Sequence, residues 1–296
     1  MLLNKRIPFS YIVSKIKMEI IYVFIVGCIS HYLTITFFQS LPKMPLTIPA
    51  FLGTAISILL SFKMSQSYER WWEARKVWGA IVNDSRSWVI QLQTFIEKDE
   101  PAVHQMAYRQ IAWCYSLGQT LRGLDPMSNL KRYISEDDIL RLHKHNNIPL
   151  AIIQLNAQEI KRLRENQKTD IFSHKQLDNT LVRLCDSMGK AERINSTVFP
   201  VTYRKFLHFA IYVFVIVLSI SLGEINAIFE IPLLIIISSI FFLLEKTAYH
   251  LQDPFKNRPS DTSVTTIAQT IEMNIKDLLN EGKTEKPEPK NDFYIL

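Results

Sequence analysis

The sequence predicts an all-α integral membrane protein. Three observations predict it. Only 8 of the 296 residues are glycine, where an average usage of about 7% would give roughly 20. So few glycines mean few tight turns and few phosphate-cradling loops, which argues against dinucleotide-binding and P-loop enzymes and against a turn-rich all-β chain. Next, the 48% hydrophobic content, ordinary as an average, is unevenly distributed: long uncharged runs alternate with charged segments. Finally, those charges fall on one side of the runs.

Taken in order, no charged residue lies between Glu19 and Lys43, and 20–38 is strongly apolar. None lies between Lys43 and Lys63, nor in 206–223, and 225–244 holds one acid, Glu230. Each run is about as long as a helix must be to cross roughly 30 Å of hydrocarbon. Four such runs in one chain argue against buried helices of a soluble protein and for four transmembrane helices. Lys5, Arg6, Lys15 and Lys17 precede the first run; Lys63, Arg70, Arg75 and Lys76 follow the second; Arg204 and Lys205 precede the third; Lys246 follows the fourth. The two short connections, near Pro42–Pro45 and Gly223–Asn226, hold only Lys43 and Glu224 as charges. Basic residues mark the cytoplasmic side, so both termini and the middle of the chain are expected there. No small-residue cleavage site follows a short apolar core at the N-terminus, so no signal peptide is expected.

The organisation expected is therefore 1–62 with transmembrane helices 1 and 2, 63–205 as a helical cytoplasmic domain, 206–245 with transmembrane helices 3 and 4, 246–280 as a cytoplasmic helical segment, and 281–296 as a charged, Pro-containing mobile tail. Nothing breaks the second membrane helix at Lys63, and from Ser65 to Ile96 there is no proline and no glycine but Gly79, so one helix continues to Asp99–Pro101. Helices are expected over 102–118, from Ser135 (acids in its first turn) to before His145, from Pro149 to Gln167, over 173–195 with Leu177, Leu181, Leu184 and Met188 on one stripe, and over 263–279. There is no internal repeat.

The search for catalysis finds little. The sequence has no GxSxG, HExxH, GxxxxGK[ST] or GxGxxG. Cys28, Cys114 and Cys185 are far apart and read as free thiols. His143 and His145, two apart beside Asn146, Asn147 and Pro149, suit an exposed loop better than a metal site. His174 and Asp178, four apart, read as a solvated helical pair. No cofactor and no metal are implied, and a net charge of +6 needs no nucleic-acid partner, because basic residues beside a membrane segment sit against lipid headgroups.

The informative segment is 48–88. In 48–62 the small residues Gly53, Ala55, Ser57 and Ser61 alternate with large apolar ones, and small residues let membrane helices approach closely. Thr54, Ile58 and Phe62, four apart, share one helical face. By residue type alone that stripe fits helix packing or lipid contact as readily as a functional surface. This segment, with Arg70-Trp71-Trp72-Glu73-Ala74-Arg75, Trp78-Gly79, Glu192-Arg193-Ile194 through Pro200 and Tyr203, Asp253-Pro254-Phe255 and Ile271-Glu272-Met273-Asn274, resembles the bestrophin family in its bacterial branch, over nearly the whole chain.

The resemblance implies a homopentameric, passive ion channel around a central pore in the bacterial inner membrane, with lipid and small monovalent ions as partners. It places a pore neck on Thr54, Ile58 and Phe62, with Thr54 where an aliphatic residue is more usual and the outer ring therefore wetter. It places a cytoplasmic aperture on Phe172, with Ile171 as the neighbouring choice. It gives Arg70, Trp71, Trp72, Asp253, Pro254 and Phe255 structural roles. Anion conduction, chloride above all, is the family association; a sodium- or potassium-selective channel of the same architecture is the alternative. The family's calcium clasp follows its Pro-Phe motif with a run of acids. Here 256–261 reads Lys-Asn-Arg-Pro-Ser-Asp, one acid, with Lys256 in place of the usual glycine and Ser263 where proline is common. Calcium needs several oxygen ligands, so calcium gating is not expected. A transporter would need ionisable groups inside the membrane, for which Glu230 and His31 are the candidates; a non-conducting scaffold would need no pore.

Overall fold

A computed structural model describes residues 7–37, 44–97, 100–197, 200–223, 225–282 and 294. Lys5, Arg6, Pro42, Lys43, Asp99, Glu224 and most of the expected mobile tail fall outside the described residues. No β-strand occurs among the described residues, and the helices are α1 (Phe9–Thr36), α2 (Thr47–Phe95), α3 (Pro101–Leu121), α4 (Glu136–Leu142), α5 (Ile148–Glu165), α6 (Ile171–Ser196), α7 (Val201–Leu222), α8 (Ala227–Gln252) and α9 (Val264–Leu278), with a 3₁₀ turn at Leu130–Arg132. The chain groups into two compact units, one built on 72–197 and 254–296, the other on 4–71 and 198–253. Helix α2 is continuous through Lys63, as the absence of breakers there implies.

The unit built from α1, the first part of α2, α7 and α8 has its core around Val23, Ile56, Leu60, Ile211, Phe214 and Phe242. Small residues set the close approaches: a Cβ at Gly27 would meet Leu234 Cδ2 at 3.2 Å, and one at Gly53 would meet Phe214 Cε2 at 3.2 Å. Two carboxylates find partners across α1 and α8. Glu19 pairs with Lys246 at 2.8 Å and Glu230 with His31 Nδ1 at 2.7 Å. Because Glu19 precedes His31 while Lys246 follows Glu230, the two pairs fix α1 and α8 antiparallel. Large apolar side chains stay exposed on this unit, among them Phe24, Ile29, Phe209, Ile228, Phe229 and Ile236. At about 25 cal/mol per Å² such surface is costly in water and needs lipid or another subunit.

Among the described residues three helices are long and apolar enough to cross a membrane: α2, α7 and α8. Helix α1 is not one of the three; it is broken at Ile16 (φ −121°, ψ 15°) and carries the paired Glu19 and His31.

The other unit packs α3 against α5, α6 and α9, with Trp78, Trp88 and Trp113 fully buried. A Cβ at Gly118 would meet Val264 Cγ1 at 2.6 Å, so any other residue there would force Val264 at the start of α9 to shift. Its helix starts carry side-chain caps: Ser135 Oγ accepts from Asp138 N at 3.3 Å, and Asn147 Oδ1 from Leu150 N at 3.1 Å. Arg109 Nη2 and Nε donate to Asp138 Oδ2 at 2.6 and 2.9 Å, with both side chains about 5% exposed. Removing one partner leaves the other as an uncompensated buried charge, so Asp138→Ala is expected to destabilise the protein by about 3–5 kcal/mol. Chemical denaturation checks this, and a loss under about 1 kcal/mol contradicts it.

Candidate functional site

Helix α2 has two unlike faces within its membrane unit. Ile56, Leu60, Lys63 and Ser67 are buried, while Ile58 is 54% and Phe62 64% exposed. Thr54, Ser57 and Ser61 share the exposed face. The Thr54 hydroxyl donates to the Ala50 carbonyl at 2.9 Å and the Ser57 hydroxyl to that of Gly53 at 2.7 Å. Their hydrogens are thus committed to their own helix. What the stripe offers outward is methyl, aliphatic and ring surface with hydroxyl lone pairs, and no charge from Thr54 to Phe62.

The buried face is fastened at three heights. Phe214 of α7 lies on Gly53. Tyr203 Oη donates to the Leu59 carbonyl at 2.9 Å. Arg70 Nε donates to Gln252 O at 2.9 Å, at the C-terminal end of α8 where helix carbonyls carry partial negative charge. Trp71 stacks on Tyr68 at 6.0 Å between ring centroids, and Trp72 is half exposed. Lys63, which flanks a membrane run by sequence, is fully buried and lies within electrostatic range of Glu245 and Arg204.

Phe172 belongs to the other unit. It is 82% exposed, and its neighbour Ile171 is also exposed. Both stand in the first turn of α6, two residues earlier than the sequence places that helix. The reason is the cap: Asp170 Oδ1 accepts from Phe172 N at 2.7 Å and Ser173 N at 3.1 Å. The Ser173 hydroxyl, then the two backbone N–H groups, hold the Asp170 carboxyl below its ordinary value.

The Asp253-Pro254-Phe255 turn buries Phe255 in the same unit as α6, and the Pro254 carbonyl accepts from Thr262 N at 3.1 Å. Asn257, not Lys256, takes the left-handed conformation (φ 62°), so lysine fits where glycine is usual. Ser263 has φ −75°, a value proline shares. Asp261 is buried and accepts from Arg258 N at 3.0 Å; burial pushes its carboxyl pKa up. Its carboxylate closes the loop. Among the described residues no three His, Cys, Asp or Glu side chains gather into a metal-sized cluster. Burial pushes the Cys114 thiol up to about 12, which leaves it unreactive.

Sequence reasoning missed the long-range pairs. His31 and Glu230 are singled out by residue type, but nothing local announces that residues 199 apart pair. The same holds for His208 Nδ1 and Glu245 Oε2 at 2.9 Å.

The Asp170 cap yields a prediction. Its stabilisation is present above the ordinary carboxylate pKa and is lost as pH falls through the depressed folded value. Asp170→Ala is expected to fray the first turn of α6 and to speed amide exchange at Phe172 and Ser173 roughly fivefold at neutral pH. Unchanged exchange contradicts the cap.

Residues 5–277 match the model of a family described as Bacterial/Fungal Bestrophin protein. A voltage-dependent anion channel-forming protein of Ralstonia nicotianae is 27% identical over 268 residues, which is 87% of this chain and 86% of that protein. The voltage-dependent anion channel-forming protein YneE of Escherichia coli K12 is 29% identical over 233 residues, 78% and 76% of the two chains. The crystal structure of a bacterial bestrophin homolog from Klebsiella pneumoniae superposes with a TM-score of 0.85 at 27% identity, covering 90% of this chain and 98% of that one.

Proposed function

The chain belongs to the bacterial and fungal bestrophin family, a family of membrane ion channels and not enzymes, and from that premise we propose that five copies form a passive channel for small monovalent anions. The observation that carries the reading is the exposed, uncharged stripe of Thr54, Ile58 and Phe62 on a helix whose opposite face is fully packed. Five such stripes around an axis make rings of Ile58 and Phe62, an apolar neck that gates by dewetting rather than by coordinating an ion. The names of the Ralstonia and Escherichia relatives support anions. Phe172 is a second ring, presented by the capped first turn of α6. Helix α1 is the fourth span, held to α8 by the Glu19–Lys246 ion pair and the His31–Glu230 hydrogen bond. Lys15, Lys17, Arg75, Lys76, Arg204, Lys205 and Lys246 then mark the cytoplasmic side of the bacterial inner membrane, with both termini on it. The single acid of the 256–261 loop is committed to its own turn, so the channel is not gated by calcium.

A cation-selective channel is the second reading. It is favoured by one observation: the Thr54 and Ser57 hydroxyl hydrogens are committed to carbonyls, so these two residues offer ions oxygen lone pairs rather than donors.

Purified protein in planar bilayers tests both. Under a potassium chloride gradient the reversal potential is expected on the chloride side; one on the potassium side replaces the first reading with the second. Ile58→Ala and Phe62→Ala are expected to raise single-channel conductance by roughly twofold or more, and Phe172→Ala to change rectification or ion discrimination. Unchanged conductance in both neck variants contradicts the neck, and a steep rise in current with micromolar calcium contradicts the gating claim.

A further inference from the structure

A groove of about 470 Å³ opens between the start of α7 and the end of α8, lined by Arg204, Lys205, His208, Phe209, Tyr212, Glu245, Lys246 and Tyr249. That volume lies within the roughly 300–1,000 Å³ of small-molecule sites. Its charges are unbalanced. Lys246 is paired with Glu19 at 2.8 Å, and Glu245 with His208 at 2.9 Å. Neither Arg204 nor Lys205 forms an ion pair with a carboxylate among the described residues. Three cations, Arg204, Lys205 and Lys246, thus stand against two carboxylates, Glu245 in the groove and Glu19 on Lys246. The Arg204 guanidinium is held over the Tyr249 ring, 5.2 Å from its centroid, so it is positioned before any ligand arrives. Beside the cations, Phe209 is 64% exposed.

Cations, tyrosines and an exposed phenylalanine at one end of two membrane-crossing helices match an amphiphile whose head is anionic. We propose that this groove binds the phosphate of an anionic phospholipid from the cytoplasmic leaflet, with Arg204 and Lys205 on the phosphate, Tyr249 beside the head and Phe209 against an acyl chain. The proposal rests on reading α7 and α8 as membrane spans with this end cytoplasmic, the side where anionic lipid concentrates basic segments. Its consequence reaches the pore helix. Tyr203, next to Arg204, hydrogen-bonds the Leu59 carbonyl, between Ile58 and Leu60, so occupation of the groove steadies the segment that fastens the neck.

Native mass spectrometry of the full-length assembly, titrated with dioleoyl phosphatidylglycerol or dioleoyl phosphatidylcholine, tests this, with glycerol phosphate as the soluble competitor. Wild type is expected to prefer phosphatidylglycerol. Lys205→Gln, at an exposed side chain, is expected to weaken that binding about fivefold, and Arg204→Gln with Lys205→Gln about 25-fold. Lys17→Gln, which removes an exposed cation of α1 outside the groove, is expected to leave it unchanged. Equal binding of the two lipids, an equal loss in Lys17→Gln, or full displacement by glycerol phosphate overturns the proposal. The same spectra give the subunit number, so a stoichiometry other than five contradicts the channel reading separately from the lipid site.

Discussion

In the membrane unit, helix α2 is gripped along one side by the Phe214 ring on Gly53, the Tyr203 hydroxyl on the Leu59 carbonyl and the Arg70 side chain on Gln252 O, while the other side, from Thr54 to Phe62, touches nothing that would bury it. The rest of the account depends on that asymmetry. An apolar stripe flanked by small hydroxyl residues has no cover among the described residues of one chain. On the proposed reading, copies of that stripe repeated around an axis cover it and leave a narrow path between them. The grip on the buried side keeps Ile58 and Phe62 aimed outward as a rigid row.

Charge in this unit fastens rather than catalyses. Glu19 with Lys246 and Glu230 with His31 tie α1 to α8 at two levels, and His208 with Glu245 ties α7 to α8. Glu230 and His31, the candidates for a transport site, are thereby committed to each other across α1 and α8. At the start of α7 and the end of α8 the cations outnumber the acids, which is the surplus the proposed lipid site draws on. In the other unit the same economy holds for Arg109 with Asp138, and for Asp261 on the Arg258 amide.

Much of the fold was legible because its signals are local. The continuity of α2 follows from a stretch without breakers, and α4 starts where Ser135 and its following acids predict. Helix α1 begins at Phe9 rather than near Ile20, because hydropathy reports the membrane and not the helix; Lys15 and Lys17 are as helical as the run they precede. Helix α6 begins at Ile171 because Asp170 caps it, a signal present in the sequence but overlooked beside the leucine stripe. The candidate neck was legible only as a stripe. Spacing of four puts Thr54, Ile58 and Phe62 on one face, but packing, lipid contact and pore lining share that spacing; the exposure of the face removes only packing within one subunit. Thr54 was expected to wet the outer ring; its hydroxyl hydrogen is turned back onto Ala50, so it contributes a lone pair and a methyl group. The ion pairs and the basic groove join residues remote in sequence and have no local signature.

The central claim is that Ile58 faces the path the ions take. The most direct measurement is the reversal potential, under a fixed potassium chloride gradient, of Ile58→Glu and Ile58→Arg channels. The account predicts shifts of opposite sign, toward potassium for the acid and toward chloride for the base, because a full charge in a narrow apolar ring acts on passing ions at short range and low dielectric. Two variants that conduct with the wild-type reversal potential would contradict it.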